Sequence, residues 1–225
     1  MSKKYSTSWE VPDIMFFVLV ALIIFSFSMG TYIRNTIWGD ELVILKDIMK
    51  KSPKKARPHN ILGYIYNERG WVDKAIAEFQ MAIMLDPNNA EAHNNLGIAY
   101  YDKGWVDKAI EQFENAIKLE PNYAEGHNNL GYAYNIKGWF DEAIEHYEIS
   151  LKIQPNSAET HSNLGVAYKN KGLIDKAIEE HQIALKIQPN IPGILYNLAK
   201  AYELKGLYAK AEECRQIART LEGKK

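Results

Sequence analysis

Cysteine is nearly missing from this chain. A single Cys214 among 225 residues excludes an internal disulfide, a thiolate zinc site and a C-x-x-C-H haem attachment. It reads as a small residue packed in the last helix rather than a reactive thiol. A surplus of one charge is missing too. Lysine and arginine number 27 against 28 acidic residues. That balance argues against the concentrated basic surface that a phosphate backbone needs, so nucleic acid is not an expected partner. Enzyme signatures are absent: there is no phosphate loop, no G-x-S-x-G and no H-E-x-x-H. Carboxylates such as Glu111, Glu114, Asp141 and Glu142 read as helix-surface charges. No catalytic activity, cofactor or metal is expected.

One long apolar run is present. Residues 14–33 carry no charge, and Asp13 and Arg34 flank them. Twenty helical residues span about 30 Å, the thickness of a bilayer core. Trp9, Tyr32 and Trp38 stand where interfacial aromatics belong. The run predicts a transmembrane helix over 14–34 behind a short tail over 1–13, with the bilayer as a partner through 14–33. The competing reading is a cleaved secretory signal, with Ser26-Phe27-Ser28 as the small-x-small site. Orientation is open on charge alone. Lys3 and Lys4 stand on one side, and Arg34, Lys46, Lys50 and Lys51 on the other.

Behind the run the chain repeats itself every 34 residues. Leu62-Gly63, Leu96-Gly97, Leu130-Gly131, Leu164-Gly165 and Leu198-Ala199 fall in step. Tyr66, Tyr100, Tyr134, Tyr168 and Tyr202 do so as well, as do Ala75, Ala109, Ala143, Ala177 and Ala211. Pro87, Pro121, Pro155 and Pro189 close the copies. This period and content mark a helix–turn–helix solenoid. The boundaries fall at 56–89, 90–123, 124–157, 158–191 and 192–225. Stepping back 34 residues from Phe79, Ala82 and Pro87 lands on Leu45, Ile48 and Pro53. Residues 35–55 are therefore expected to hold one helix of a half-repeat that caps the stack.

One copy shows the local logic. A first helix over Ala90–Lys103 ends at Gly104, which takes positive φ at little cost. Asp107 opens the second helix, where a carboxylate favours the positive end of the dipole. Pro121 ends it. Gly97 and Ala109 permit close helix approach, and Phe113 and Tyr100 fill the space beside them.

These residues resemble the tetratricopeptide-repeat family, whose pattern is Leu-Gly, Tyr, Ala, aromatic, Ala and Pro at fixed offsets. The third copy reads Leu130, Gly131, Tyr134, Ala143, Tyr147, Ser150 and Pro155. The family's first-helix tryptophan is replaced by His59, His93, His127 and His161, and His181 and Arg215 stand at the aromatic position of the late copies. The resemblance implies an all-α superhelical solenoid of five repeats plus the half-repeat, following the membrane helix. A narrower resemblance covers Arg34–Trp38 through Lys51–Pro58. It is similar to the joint of bacterial mannosyltransferase-like membrane proteins. Those proteins span the membrane several times, whereas this chain has one candidate span; what the resemblance implies is that the repeats of this expected single-pass protein lie on the periplasmic or external side. The cytoplasmic side is the alternative.

The resemblance places the first helices along a concave face. Asn95, Asn129, Asn163 and Asn197 recur there, at a position similar to the family's groove-facing asparagine. An amide both donates and accepts, so such a ladder suits the backbone of an extended peptide. The other reading is that these amides tie neighbouring repeats together. Asn94, Asn128, Tyr64, Tyr132, Tyr101, Asn135 and Lys169 are further candidate contacts. Glu91, Glu125 and Glu159 read as helix N-terminal charges. The histidine column cannot share a metal: repeats stack about 10 Å apart, whereas zinc holds its ligands at about 2 Å. His146 and His181 read as surface residues. The expected function is a membrane-anchored scaffold for protein–protein interaction, an accessory or assembly subunit of a membrane complex. A non-catalytic helper of a membrane glycosyltransferase is the alternative. Self-assembly through an open last repeat, giving a homo-oligomer, is another.

Overall fold

The computed structural model describes residues 41–223, and they form eleven α-helices. The described residues up to 54 and those from 55 onward form separate units. Helix α1 (Glu41–Lys51) belongs to the first and lies within segment 35–55. The second unit holds ten helices in five pairs. These are α2 (Ala56–Glu68) with α3 (Val72–Leu85), α4 (Ala90–Asp102) with α5 (Val106–Leu119), and α6 (Ala124–Lys137) with α7 (Phe140–Ile153). Then come α8 (Ala158–Asn170) with α9 (Ile174–Ile187), and α10 (Pro192–Leu204) with α11 (Tyr208–Glu222).

The expectation of a membrane-spanning helix is corrected. Among the described residues no helix is long and apolar enough to cross a membrane. The longest, α11, has 15 residues, where a span takes about 20. Segment 14–33, on which the expectation rested, lies outside the described residues. The fold is an all-α solenoid, and a single-pass membrane protein, with its bilayer partner and sidedness, finds no support in it.

Local chemistry sets each pair. Gly104 ends the turn after α4 with φ +79°, and Gly138 matches it at +81°. Only glycine takes that backbone without strain. Asn89 and Ser157 cap α4 and α8 by accepting the amides of Ala92 and Thr160 at 3.0 and 3.2 Å. The second helices begin without a side-chain cap; Asp73, Asp107, Asp141 and Asp175 stand in their first turns instead.

Between the helices of a pair, glycine meets an aromatic ring. A Cβ built on Gly97 would stand 2.5 Å from Cε1 of Phe113. Gly63 faces Phe79 in the same way, and Gly131 faces Tyr147. Phe79, Phe113 and Tyr147 are almost completely buried. Between pairs, a tyrosine hydroxyl reaches back to the preceding second helix. Tyr134 donates to Glu114 at 2.8 Å and Tyr168 to Glu148 at 3.1 Å, while Tyr100 accepts from Gln80 at 3.0 Å.

Each first helix touches the next first helix, while the second helices meet only their sequence neighbours. The first helices therefore crowd the inner, concave side, and the second helices splay on the outer side. This arrangement exposes one column of first-helix side chains along a groove.

Candidate functional site

Helical spacing puts Glu91, Asn94, Asn95, Ile98 and Tyr101 on one stripe of α4. The same stripe recurs on α6 as Glu125, Asn128, Asn129, Tyr132 and Asn135. Its first effect is structural. Asn94 is fully buried; its amide donates to Glu125 at 3.3 Å and its oxygen accepts from Asn129 at 2.9 Å. Asn60 holds Glu91 and Asn95 at 3.0 and 3.1 Å, and Asn128 holds Glu159 and Asn163 at 3.3 and 3.2 Å. Each buried asparagine thus clasps two residues of the next repeat. Asn94 and Asn128 belong to these clasps. Asn95, Asn129 and Asn163 tie repeats together as well, each by one N–H. Their carbonyl oxygens and second N–H groups stay outside the clasp, and their side chains are half-buried along the groove. Glu91, Glu125 and Glu159 do more than favour a helix terminus.

The last junction is built differently. Ser162 and Gly193 take the places of the clasping asparagine and glutamate. Asn197 is half-buried and lines a recess with Asn163, Ile191 and Ile194. Apolar packing joins the repeats here: Ala158, Ala184 and Ile194 are buried against Leu185, Ile187 and Ile191.

Successive recesses follow the groove. The first, about 510 Å³, is lined by Tyr64, Glu91, Asn95, Glu120, Tyr123 and Glu125. The second, about 360 Å³, lies among Ile98, Tyr101, Phe113, Asn128, Asn129, Tyr132, Glu159 and Asn163. A third, about 380 Å³, includes Glu159, Asn163, Ile191, Ile194 and Asn197. In the second, Tyr101 donates to the Tyr132 hydroxyl at 3.2 Å, with the rings edge to face at 5.2 Å. That bond, with burial behind it, pushes Tyr101 up to about 12. Tyr64 is 55 % exposed, an open aromatic surface on the groove wall. Asn135 accepts from Asn170 at 3.1 Å, a further tie between repeats. Lys169 is half-buried, and its charge adds to the lowering of the His181 pKa.

The histidine column has a structural place. Nδ1 of His59, His93, His127 and His161 meets the second helix of its own pair, at Glu78, Gln112, His146 and Glu180, within 2.7–3.0 Å. Nε2 of His93, His127 and His161 donates to the carbonyls of Pro87, Pro121 and Pro155. Among the described residues no cluster of three or more histidine, cysteine or carboxylate groups could hold a metal. His146 and His181 are not surface residues. His146 is half-buried against His127, and burial, then the His127 charge, lowers its pKa. His181 is fully buried with neither ring nitrogen hydrogen-bonded. It fills the aromatic position opposite Gly165, and burial lowers its pKa to about 4. Cys214 is buried, as its reading as a packed residue of the last helix requires.

Comparison with known proteins agrees with this architecture. A family described as TPR repeat matches residues 63–104, 99–138 and 131–172, and one described as tetratricopeptide repeat matches 158–191 and 192–214. Among curated proteins none matches. Among solved structures, the crystal structure of MamA is 30 % identical, with 72 % of this chain and 95 % of that one covered and a TM-score of 0.64. YrrB, described as a TPR protein with an unusual peptide-binding site, is 20 % identical over 80 % of this chain and 92 % of its own, at TM-score 0.62. PilF of Pseudomonas aeruginosa is 20 % identical over 73 % and 75 %, at 0.68. At that identity YrrB and PilF show the fold alone. The shared repeat pattern, the matched residues and the likeness to MamA together establish that this chain belongs to the tetratricopeptide-repeat family.

Proposed function

We propose that this protein is a non-catalytic scaffold that holds an extended segment of a partner protein along its concave face, as an accessory or assembly subunit of a larger complex. The observation that carries the reading is the line of half-buried amides, Asn95, Asn129, Asn163 and Asn197, set one repeat apart beside open recesses. An extended backbone presents N–H and C=O groups that such amides satisfy, whatever its side chains. YrrB, with its peptide-binding site, has the same fold and gives the reading a precedent.

The test uses substitutions that spare the clasps. Tyr132→Ala and Asn197→Ala remove groove contacts, whereas Lys108→Ala alters the outer edge. Binding of a partner segment is expected to weaken at least tenfold with Tyr132→Ala and to be unchanged by Lys108→Ala, read by fluorescence anisotropy. The opposite pattern places recognition on the outer face and ends the reading. Sedimentation of the free protein separates self-assembly: a dimer broken by the groove substitutions would make the occupant a second copy.

A further inference from the structure

The recesses differ in chemistry. Around the first stand two tyrosines and three exposed carboxylates: Tyr64 and Tyr123 with Glu91, Glu120 and Glu125. Glu91 and Glu125 are held in place by Asn60 and Asn94, which fixes their positions and leaves their charge. The Lys103–Asp73 and Lys137–Asp107 pairs lie at the far ends of the same first helices, roughly 18 Å away at 1.5 Å per residue. They are too distant to screen these carboxylates. The Tyr123 hydroxyl senses all three: burial first, then Glu125, Glu91 and Glu120, drives its pKa well up. Negative potential beside aromatic faces is the environment that holds an ammonium or guanidinium, by charge-assisted hydrogen bonds and cation–π contact.

The second recess has one carboxylate in its lining, Glu159, against three in the first, and gathers Ile98, Phe113, Tyr101 and Tyr132 beside it. It suits an apolar or aromatic side chain. Tyr64 and Ile98 hold equivalent positions in successive repeats, as do Asn95 and Asn129. The recesses are therefore one repeat apart, on the order of 10 Å. A polyproline-II segment advances about 9 Å in three residues and brings the side chain back to the same face. A β-strand does not, because its side chains alternate with a period of two.

We propose that the groove selects an extended segment bearing a lysine or arginine and, three residues away, an apolar or aromatic side chain. The cation sits among Tyr64, Tyr123 and the three carboxylates, and the apolar group rests against Tyr101 and Tyr132. This rests on the groove being the binding face.

Fluorescence anisotropy on the full chain tests it, with labelled peptides built around Lys-Pro-Pro-Phe and Phe-Pro-Pro-Lys. Glu-Pro-Pro-Phe and the shortened Lys-Pro-Phe serve as comparisons. At least one Lys/Phe order is expected to bind tenfold or more tighter than both comparisons, and the order preferred fixes the direction of the bound segment. Glu120→Lys is expected to cost that peptide tenfold or more. Tyr64→Ala is expected to weaken it as well, and neither residue belongs to a clasp. Asp107→Lys, the same charge change on the outer edge, is expected to leave binding unaltered. Equal binding of the glutamate peptide, or indifference to Glu120→Lys and Tyr64→Ala, overturns the inference. If Tyr132→Ala still weakens binding in that case, the groove reading stands without it. Failure of every peptide to bind overturns both.

Discussion

The first three junctions between repeats and the last one join similar helix pairs by different means. Asn60, Asn94 and Asn128 clasp the following repeat through paired amide and carboxylate contacts. At the last junction Ser162 and Gly193 remove the clasp, and Ile194 with its apolar neighbours fills the seam. The interiors diverge together. In the first three repeats glycine faces Phe79, Phe113 or Tyr147; in the fourth it faces His181; in the fifth Ala199 replaces glycine and Arg215 replaces the ring. With the ring gone, the close approach that required glycine is gone too, so a Cβ is accommodated. Arg215 pairs instead with Glu203 and Glu212. A 34-residue period thus fixes backbone spacing, while each seam can be polar or apolar.

The largest expected effect sharpens the contrast at His181. The unfolded ring titrates near 6.5 and the folded one at about 4. Above the unfolded value both states are neutral and stability is at its full level. As pH falls through that window, the unfolded chain takes up a proton that the folded chain refuses. Stability should fall by about 3 kcal/mol in all, the loss ending near the folded value. Urea titrations at several pH values measure this. His181→Phe, which restores the ring that Gly63 and Gly97 face, should raise stability at neutral pH by about 1–2 kcal/mol and remove this part of the pH dependence. A pH profile that His181→Phe leaves unchanged would contradict the assignment.

Gly131→Leu would break the interior of a clasped repeat. Its Cβ would meet Tyr147 Cε1 at 2.9 Å and the Ala143 carbonyl at 3.0 Å, and overpacking of this kind costs about 1–3 kcal/mol. Ala199→Leu at the ringless equivalent should cost less, by thermal melts compared side by side. Asn94→Ala opens one clasp and leaves Glu125 and Asn129 without their partner, at about 1–2 kcal/mol. Ser162→Ala, at the seam without a clasp, should stay within about 0.5 kcal/mol. Hydrogen exchange should show the Asn94→Ala loss centred on α4 and α6. The smallest effect belongs to Lys137→Ala. Its pair with Asp107 at 2.7 Å is largely solvent-exposed, so a change of about 0.5 kcal/mol or less is expected, shrinking further in salt.

The solenoid was legible because its signals are local and repeated. Leu-Gly, Tyr, Ala and Pro at one period dictate where helices start, stop and touch. Gly104 and Pro121 ended their helices where expected. The same period held more than was read from it. His181 falls in step with Phe79, Phe113 and Tyr147, which is itself a signal of burial; residue polarity pointed the other way. Pro87, Pro121 and Pro155 each precede a histidine by six residues, and a hydrogen bond joins each pair. The asparagines had two readings, and the structure shows one of them: one N–H of Asn95, Asn129 and Asn163 ties repeats together. The partnership of Asn60, Asn94 and Asn128 with the glutamates 31 residues on was missed. It crosses between repeats, and pattern within one helix does not reveal it.

Site-specific photocrosslinking tests the central claim most directly. A photoreactive phenylalanine replaces Tyr64 or Tyr132 in the groove, or Glu111 on the outer side of α5, in the full chain inside its own cells. The account predicts adducts at 64 and 132 to one extended segment of a partner, identified by mass spectrometry, and none at 111. Adducts at 111 with none at 64 or 132 would contradict it.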